Sequence, residues 1–175
     1  MIWPQESQQT KEAFERDIAN RHLVYFYNAK NPQTGADEKW KYEMWFHSHD
    51  RIVYHIHGGP MAGRINYQKA DYQCIRAGEL WQCNWLEETG TICSLVYDIP
   101  NKKITTLLGF SKGHWEEAEQ AHGDKRNPHD LARWRKLAEI GKQTDRHLLH
   151  DQADIAQDFR GSGDLEDISY DDPVL

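Results

Sequence analysis

From His22 to about Phe110 apolar and polar residues alternate with a period of two, in the short runs HLVYFY, KWKYEMWF, RIVYHIH, YQCI, LWQCNWL, ICSLVYDI and ITTLLGF. The breaks between them carry turn formers: NPQTG, SHD, GGPMAG, RAGE, ETGT and PNKK. Seven such runs predict an antiparallel meander that closes into a barrel or sandwich. Ahead of them, ESQQTKEAFERDIAN over residues 6–20 sets Phe14 and Ile18 four apart among good helix formers, which predicts one short amphipathic helix laid on the domain. After Trp115 the period becomes helical: Asn127 as cap, Pro128 at the first helical position, Leu131, Trp134, Leu137 and Ala138 on one face, and Gly141 as the stop. A second helical stretch toward Leu149 and a weak strand from Ile155 to Phe159 are expected to follow. The tail GSGDLEDISYDDPVL is acidic and polar, and partial disorder is expected of it. No internal repeat appears. The expected organisation is therefore one domain over 1–175: a helical extension through residue 20, a barrel core over 22–115, helices over 127–150 and an acidic tail over 161–175.

Parity along each strand sorts the side chains. In KWKYEMWF, Trp40, Tyr42, Met44 and Phe46 share one face and Lys39, Lys41 and Glu43 the other, with Trp45 as an exception, so Tyr42 should point inward. In LWQCNWLE, Trp81, Cys83, Trp85 and Glu87 lie together. If that aromatic face is interior, a carboxylate goes in with it, which is costly unless it is used or paired. The same parity expects Glu88 outside.

Composition narrows the function. Hydrophobic residues make up only 38% of the chain, yet seven Trp, eight Tyr and five Phe concentrate the apolar material in aromatics, enough for a core or an aromatic-lined pocket. With 21 basic and 28 acidic residues the formal charge is −7, and no Lys/Arg stripe is present to neutralise phosphates, which argues against nucleic acid. An anionic substrate would then need a local cation, so single arginines matter. No apolar leader segment or membrane-length apolar run is seen, and a cytoplasmic location is expected. Cys74, Cys83 and Cys93 lack CxxC spacing and read as free thiols.

Among sites of chemistry, His55 and His57 in YHIHGG face the same way on a strand, as metal ligands on barrels do, but no Glu follows at the expected distance and no metal is expected. GGPMAG lacks a phosphate-binding pattern and reads as a bend that allows close backbone approach. His114 stands alone. What remains is a set of inward candidates: Tyr25 and Tyr27 on the first strand, Tyr42 on the second, Arg64 after the glycine bend, and Glu87 ending an aromatic strand.

The strings VYFY, WKYE, IHGGPMAGR and WLEETGT occur in that order and with fitting intervals, and so resemble the YxY, WEYE, RIHSGxxxGR and WTEPTGT strings of the phenolic acid decarboxylase family. The resemblance covers residues 22 to 115, including FSKGHW against the family's FPKW, and is looser beyond. The extension through Asn20 and the long first hairpin NAKNPQTGADEK depart from it, as does Glu88 where the family has Pro.

The resemblance implies a lipocalin-like antiparallel β-barrel with flanking helices, a homodimer without metal or organic cofactor, and decarboxylation of 4-hydroxycinnamic acids (p-coumaric, ferulic, caffeic) to 4-vinylphenols through a quinone methide. By carry-over Glu87 is the proton donor, with its pKa expected to be raised by the aromatic wall. Arg64 supplies the local cation or fixes Glu87 and a substrate oxygen, and Tyr25, Tyr27 and Tyr42 donate hydrogen bonds. Two other classes stay open on the residues alone: a non-enzymatic carrier of small aromatics, and a metal-dependent barrel enzyme using His55 and His57.

Overall fold

A computed structural model describes residues 8–31 and 33–175; the first part of the N-terminal extension and Pro32 of the NPQTG turn lie outside the described residues. Eight long antiparallel strands close into a barrel. They are β1 (Arg21–Lys30), β2 (Asp37–Ser48), β3 (Arg51–Ile56), β4 (Arg64–Arg76), β5 (Leu80–Leu86), β6 (Ile92–Asp98), β7 (Lys103–Ser111) and, after the two-residue β8 (Gly123–Asp124), β9 (Arg146–Arg160). The order β3-β2-β1-β9-β7-β6-β5-β4 is sealed by pairing of β3 with β4, and β8 adds a short parallel edge to β4. Barrels of this size have an interior that side chains fill or that holds one small ligand.

Alternation places the core as the period-two pattern requires. Leu23 and Tyr25, Met44 and Phe46, Ile52 and Tyr54, Trp81 and Cys83, Leu95 and Tyr97 all point inward and are buried. One end is plugged by α1 (Gln8–Asp17), where Phe14 packs edge-on against Tyr72 and Trp81 at 5.2 and 6.0 Å between ring centroids. Asp17 accepts from the Trp81 indole at 2.9 Å, which satisfies a donor that the plug would otherwise strand.

GGPMAG is indeed a bend of close approach. A Cβ on Gly58 would lie 2.8 Å from the Trp40 Cα, and Gly59, at φ +80°, would meet the Trp40 ring at 2.7 Å. The far end is covered by α2 (Lys112–Glu116), a 3₁₀ turn (Ala118–Ala121) and α3 (Pro128–Leu137). Asn127 caps α3 by accepting from His129 N–H, Pro128 opens it and Trp134 is its fully buried contact.

Two expectations fail after residue 137. The helices expected over 127–150 reduce to α3, and the stretch toward Leu149 is not helical: β9 begins at Arg146 and runs fifteen residues to Arg160. Only Ala153 and Ile155 of β9 are buried, so the strand has almost no apolar alternation to betray it. It exists because β1 and β7 each offer it a free edge, and its backbone bonds close the barrel. The tail, expected to be partly disordered, packs Leu165 and Ile168 over Trp45, Val53 and Tyr67 on the outer wall. That cover explains why Trp45 breaks the parity of β2. Cys74, Cys83 and Cys93 are free, and no helix among the described residues is long and apolar enough to cross a membrane.

Candidate active site

The interior above the α1 plug opens into a cavity of about 520 Å³ of unoccupied space, counted out to its mouth. Tyr25, Tyr27, Tyr42, Arg64 and Glu87 all line it, so the structure brings together the five inward candidates of the sequence. Register explains the tyrosines: Tyr25 on β1 pairs with Tyr42 on β2, and Tyr27 lies two residues further on the same face. Their rings form one cluster, Tyr25 stacked on Tyr42 at 5.8 Å and Tyr27 edge-on to both, at 5.6 Å from Tyr25 and 5.0 Å from Tyr42. Tyr27 shares a 2.5 Å hydrogen bond with Thr106. Burial lifts the pKa of all three phenols above the ordinary value, so they stay protonated and act as donors.

Glu87 goes in with Trp81, Cys83 and Trp85, as expected. Its carboxyl is met by Tyr54 OH, by an Arg64 guanidinium nitrogen at 3.2 Å and by the Thr89 hydroxyl at 3.3 Å. Arg64 is fully buried; it donates to the Ala121 carbonyl at 2.9 Å and its guanidinium lies 3.8 Å over the Trp134 ring. Helix α3 thus fixes the Arg64 guanidinium from outside the barrel.

The expected elevation of the Glu87 pKa is overturned for the empty site. Burial does raise it, but the Arg64 guanidinium, the His114 ring and hydrogen bonds from Tyr54 and Trp85 together hold it below the usual value. Of the two cations, only Arg64 persists at neutral pH, because burial lowers the His114 pKa to about 4 and leaves that ring uncharged. The unliganded site therefore holds Glu87 as a carboxylate.

Glu88 is not outside. Strand β5 ends at Leu86, and Glu87 to Gly90 form a turn closed by Gly90 N–H to the Glu87 carbonyl at 2.8 Å, with Gly90 at φ +80°. Parity lapses at that turn, and the Glu88 side chain tucks under the barrel end. There it contacts Lys125 Nζ and accepts from Gln68 at 2.6 Å and Asn66 at 3.3 Å, while Arg64 lies 3.6 Å away. Lys125 also donates to the Tyr67 carbonyl at 2.7 Å and to the Val174 carbonyl of the tail at 3.0 Å.

Sequence reasoning also passed over Tyr54 and His114. Tyr54 was within its reach, since Ile52, Tyr54 and Ile56 alternate inward on β3, and its hydroxyl links Glu87 to Asn66, which donates to it at 2.8 Å. His114 had no signal: it enters the cavity because Ser111 caps the five-residue α2. Its Nδ1 sits 2.9 and 2.7 Å from the Thr89 and Thr91 hydroxyls, and its Nε2 is buried without a partner among the described residues. His55 and His57 face the other way, onto the outer wall.

A closed antiparallel barrel enclosing a tyrosine-lined slot, with a buried carboxyl and a buried guanidinium, defines a small-aromatic site equipped for proton transfer. The phenolic acid decarboxylase family model matches residues 16–167, and the chain belongs to that family. Among curated proteins it is similar to phenolic acid decarboxylase PadC of Bacillus subtilis (strain 168), at 28% identity over 99 residues, or 56% of this chain. The match spans about half (55%) of that relative's length.

Proposed function

We propose that this chain decarboxylates 4-hydroxycinnamic acids, p-coumaric, ferulic and caffeic acid among them, to the corresponding 4-vinylphenols and CO₂. The carrying observation is Glu87, a buried carboxyl held by Arg64 and Tyr54 beside a cluster of three protonated tyrosines. A passive carrier of aromatics needs no such group, since an unused buried charge only costs stability.

The chemistry needs few parts. The para oxygen of the substrate is conjugated through the ring to the alkene. Loss of the phenolic proton and addition of a proton to the carbon bearing the carboxylate give a quinone methide. The C–CO₂ bond then breaks, its electron pair forms the vinyl group and the ring regains aromaticity. The vinylphenolate so formed takes back the phenolic proton released at the start to give the 4-vinylphenol, so that, net, the one proton added to carbon is consumed and CO₂ leaves.

Glu87 delivers that proton. It is a carboxylate in the empty site, but an anionic substrate in the same low-dielectric slot adds a second negative charge that Arg64 cannot match alone, and a proton is drawn onto Glu87. Tyr25, Tyr27 and Tyr42 donate to the substrate carboxylate, and the spare His114 Nε2 offers a further donor to a substrate oxygen. General acid catalysis accounts for about 10²- to 10⁴-fold; the rest comes from positioning and exclusion of water.

The chain works as a cytoplasmic homodimer in this reading. Supporting it, Leu86, Ile92, Leu107 and Leu148 form an exposed apolar face across β5, β6, β7 and β9. Leu86 pairs with Ile92, and Leu148 leans over Gly109 toward Ile92. A patch of this kind fits a two-fold contact with a second copy.

Incubation with p-coumarate tests the proposal. The cinnamate absorbance should fall as vinylphenol and CO₂ appear in equal amounts. Tight binding with no turnover at any pH would make the protein a carrier instead.

A further inference from the structure

Strand β2 turns Tyr42 and Met44 into the barrel and Glu43 onto its outer wall, and the register sets Glu43 directly opposite His55 on β3. His57 follows on the same face, two residues along. The two imidazoles lie 3.7 Å apart between centroids, and His57 Nε2 is 2.8 Å from Glu43 Oε2. One nitrogen from each ring and one carboxylate oxygen fall within 4.8 Å of one another. We infer that Glu43, His55 and His57 form a binding site for a borderline divalent transition ion of the Zn²⁺ type, separate from the reaction cavity.

Three features favour a built site over a chance meeting of surface groups. Glu43 is 6% exposed, and its other oxygen is held by the fully buried His22 at 2.8 Å, which aims Oε2 at the two rings. His22 is in turn fixed by its contact with the Gly161 carbonyl at 3.2 Å and by stacking on Phe159 at 4.5 Å. This is the second layer of support that metal-ligating carboxylates and imidazoles characteristically have. Finally, the His55 ring makes no hydrogen bond to any described residue, so a ring nitrogen is available for coordination. Two imidazoles and one carboxylate suit Zn²⁺, Ni²⁺ or Cu²⁺ better than Mg²⁺ or Ca²⁺. Half-exposed His57 leaves room for a water as fourth ligand.

The site was hidden in the sequence because its carboxylate comes from the preceding strand, twelve residues before His55, rather than from the turn after His57. Glu43 also borders the cavity, but the two imidazoles lie outside its lining, so the ion should stabilise the barrel without entering the reaction.

Calorimetric titration of EDTA-treated protein with Zn²⁺ tests this, alongside His55→Ala, an exposed-wall change that spares the Glu43–His22 bond. The expected result is one ion per chain with a dissociation constant in the micromolar range, weakened at least tenfold in His55→Ala. Zn²⁺ should raise the melting temperature of the wild type but not of that variant, and p-coumarate turnover should be the same with EDTA or Zn²⁺. Affinity unchanged in His55→Ala, or no binding below about 100 μM, overturns the site. Turnover lost to EDTA and restored by Zn²⁺ overturns its separation from the cavity.

Discussion

Glu87 and Glu88 are neighbours in the chain, both are buried, and both lie beside the same guanidinium nitrogen of Arg64, at 3.2 and 3.6 Å. They are not equivalent. Lys125 contacts Glu88 from the far side, so Glu88 has a cation of its own and Arg64 is left mainly to Glu87. Glu88 is thereby paired by Lys125, and in the proposed reaction Glu87 is the one that exchanges a proton with a ligand.

The first prediction separates the pair by mutation. Glu87→Gln should abolish decarboxylation while ligand binding stays within about tenfold, because the amide keeps shape and hydrogen bonding but has no transferable proton. Glu88→Gln should instead lower stability by about 3 to 5 kcal/mol, because it leaves Lys125 buried and unpaired. Denaturant titration and kcat for both variants check this; near-normal kcat in Glu87→Gln would reassign the proton donor.

Ligand binding should take up a proton. Glu87 sits below its ordinary pKa in the empty site and must carry a proton when an anionic substrate occupies the slot. Calorimetry at pH 7 in buffers of different ionisation enthalpy, with unreactive cinnamate as ligand, should show close to one proton gained per site in the wild type and none in Glu87→Gln. Zero uptake in both would place the proton elsewhere.

Acid should weaken the fold partly through His114. Its pKa is about 4 in the fold against 6.5 for a free imidazole, so between those values the unfolded chain binds more protons and stability falls as pH falls. From pH 7 to pH 4 the wild type should lose about 3 kcal/mol more than His114→Gln. Glu87, with a depressed pKa, shifts stability in the same direction, but only at lower pH. Equal acid sensitivity of the two proteins would contradict a neutral buried ring.

Substrate structure offers a fourth test. Cinnamic acid, which lacks the para hydroxyl, should bind without reacting, since no quinone methide can form from it. Comparable turnover of cinnamate and p-coumarate would rule out that intermediate.

The apolar outer face predicts assembly. Ile92→Asp with Leu148→Asp should convert a dimer into a monomer in sedimentation, with little change in the melting temperature at high dilution, because both side chains are exposed in the single chain. An unchanged mass would move the interface elsewhere.

The alternation in seven runs was enough to foretell a barrel, and parity on β1 and β2 was enough to gather Tyr25, Tyr27 and Tyr42, because a strand's period is set by its own backbone; Glu87, one residue past the end of β5, still lies inward with Trp81 and Trp85. Cap chemistry at Asn127 and Pro128 likewise located α3, a local interaction. What the sequence could not decide lay wherever position depends on a partner far along the chain. Strand β9 forms because two edges await it, not because its side chains alternate. Glu88 is buried because a turn ends parity and Lys125, thirty-seven residues on, waits beneath it. The Glu87 pKa goes down rather than up because helix α3 and the Ala121 carbonyl hold Arg64 against it. Charge and pairing at this site are properties of the assembled barrel end, where distances of 3 to 4 Å between remote residues outweigh the local apolar wall that the sequence displays.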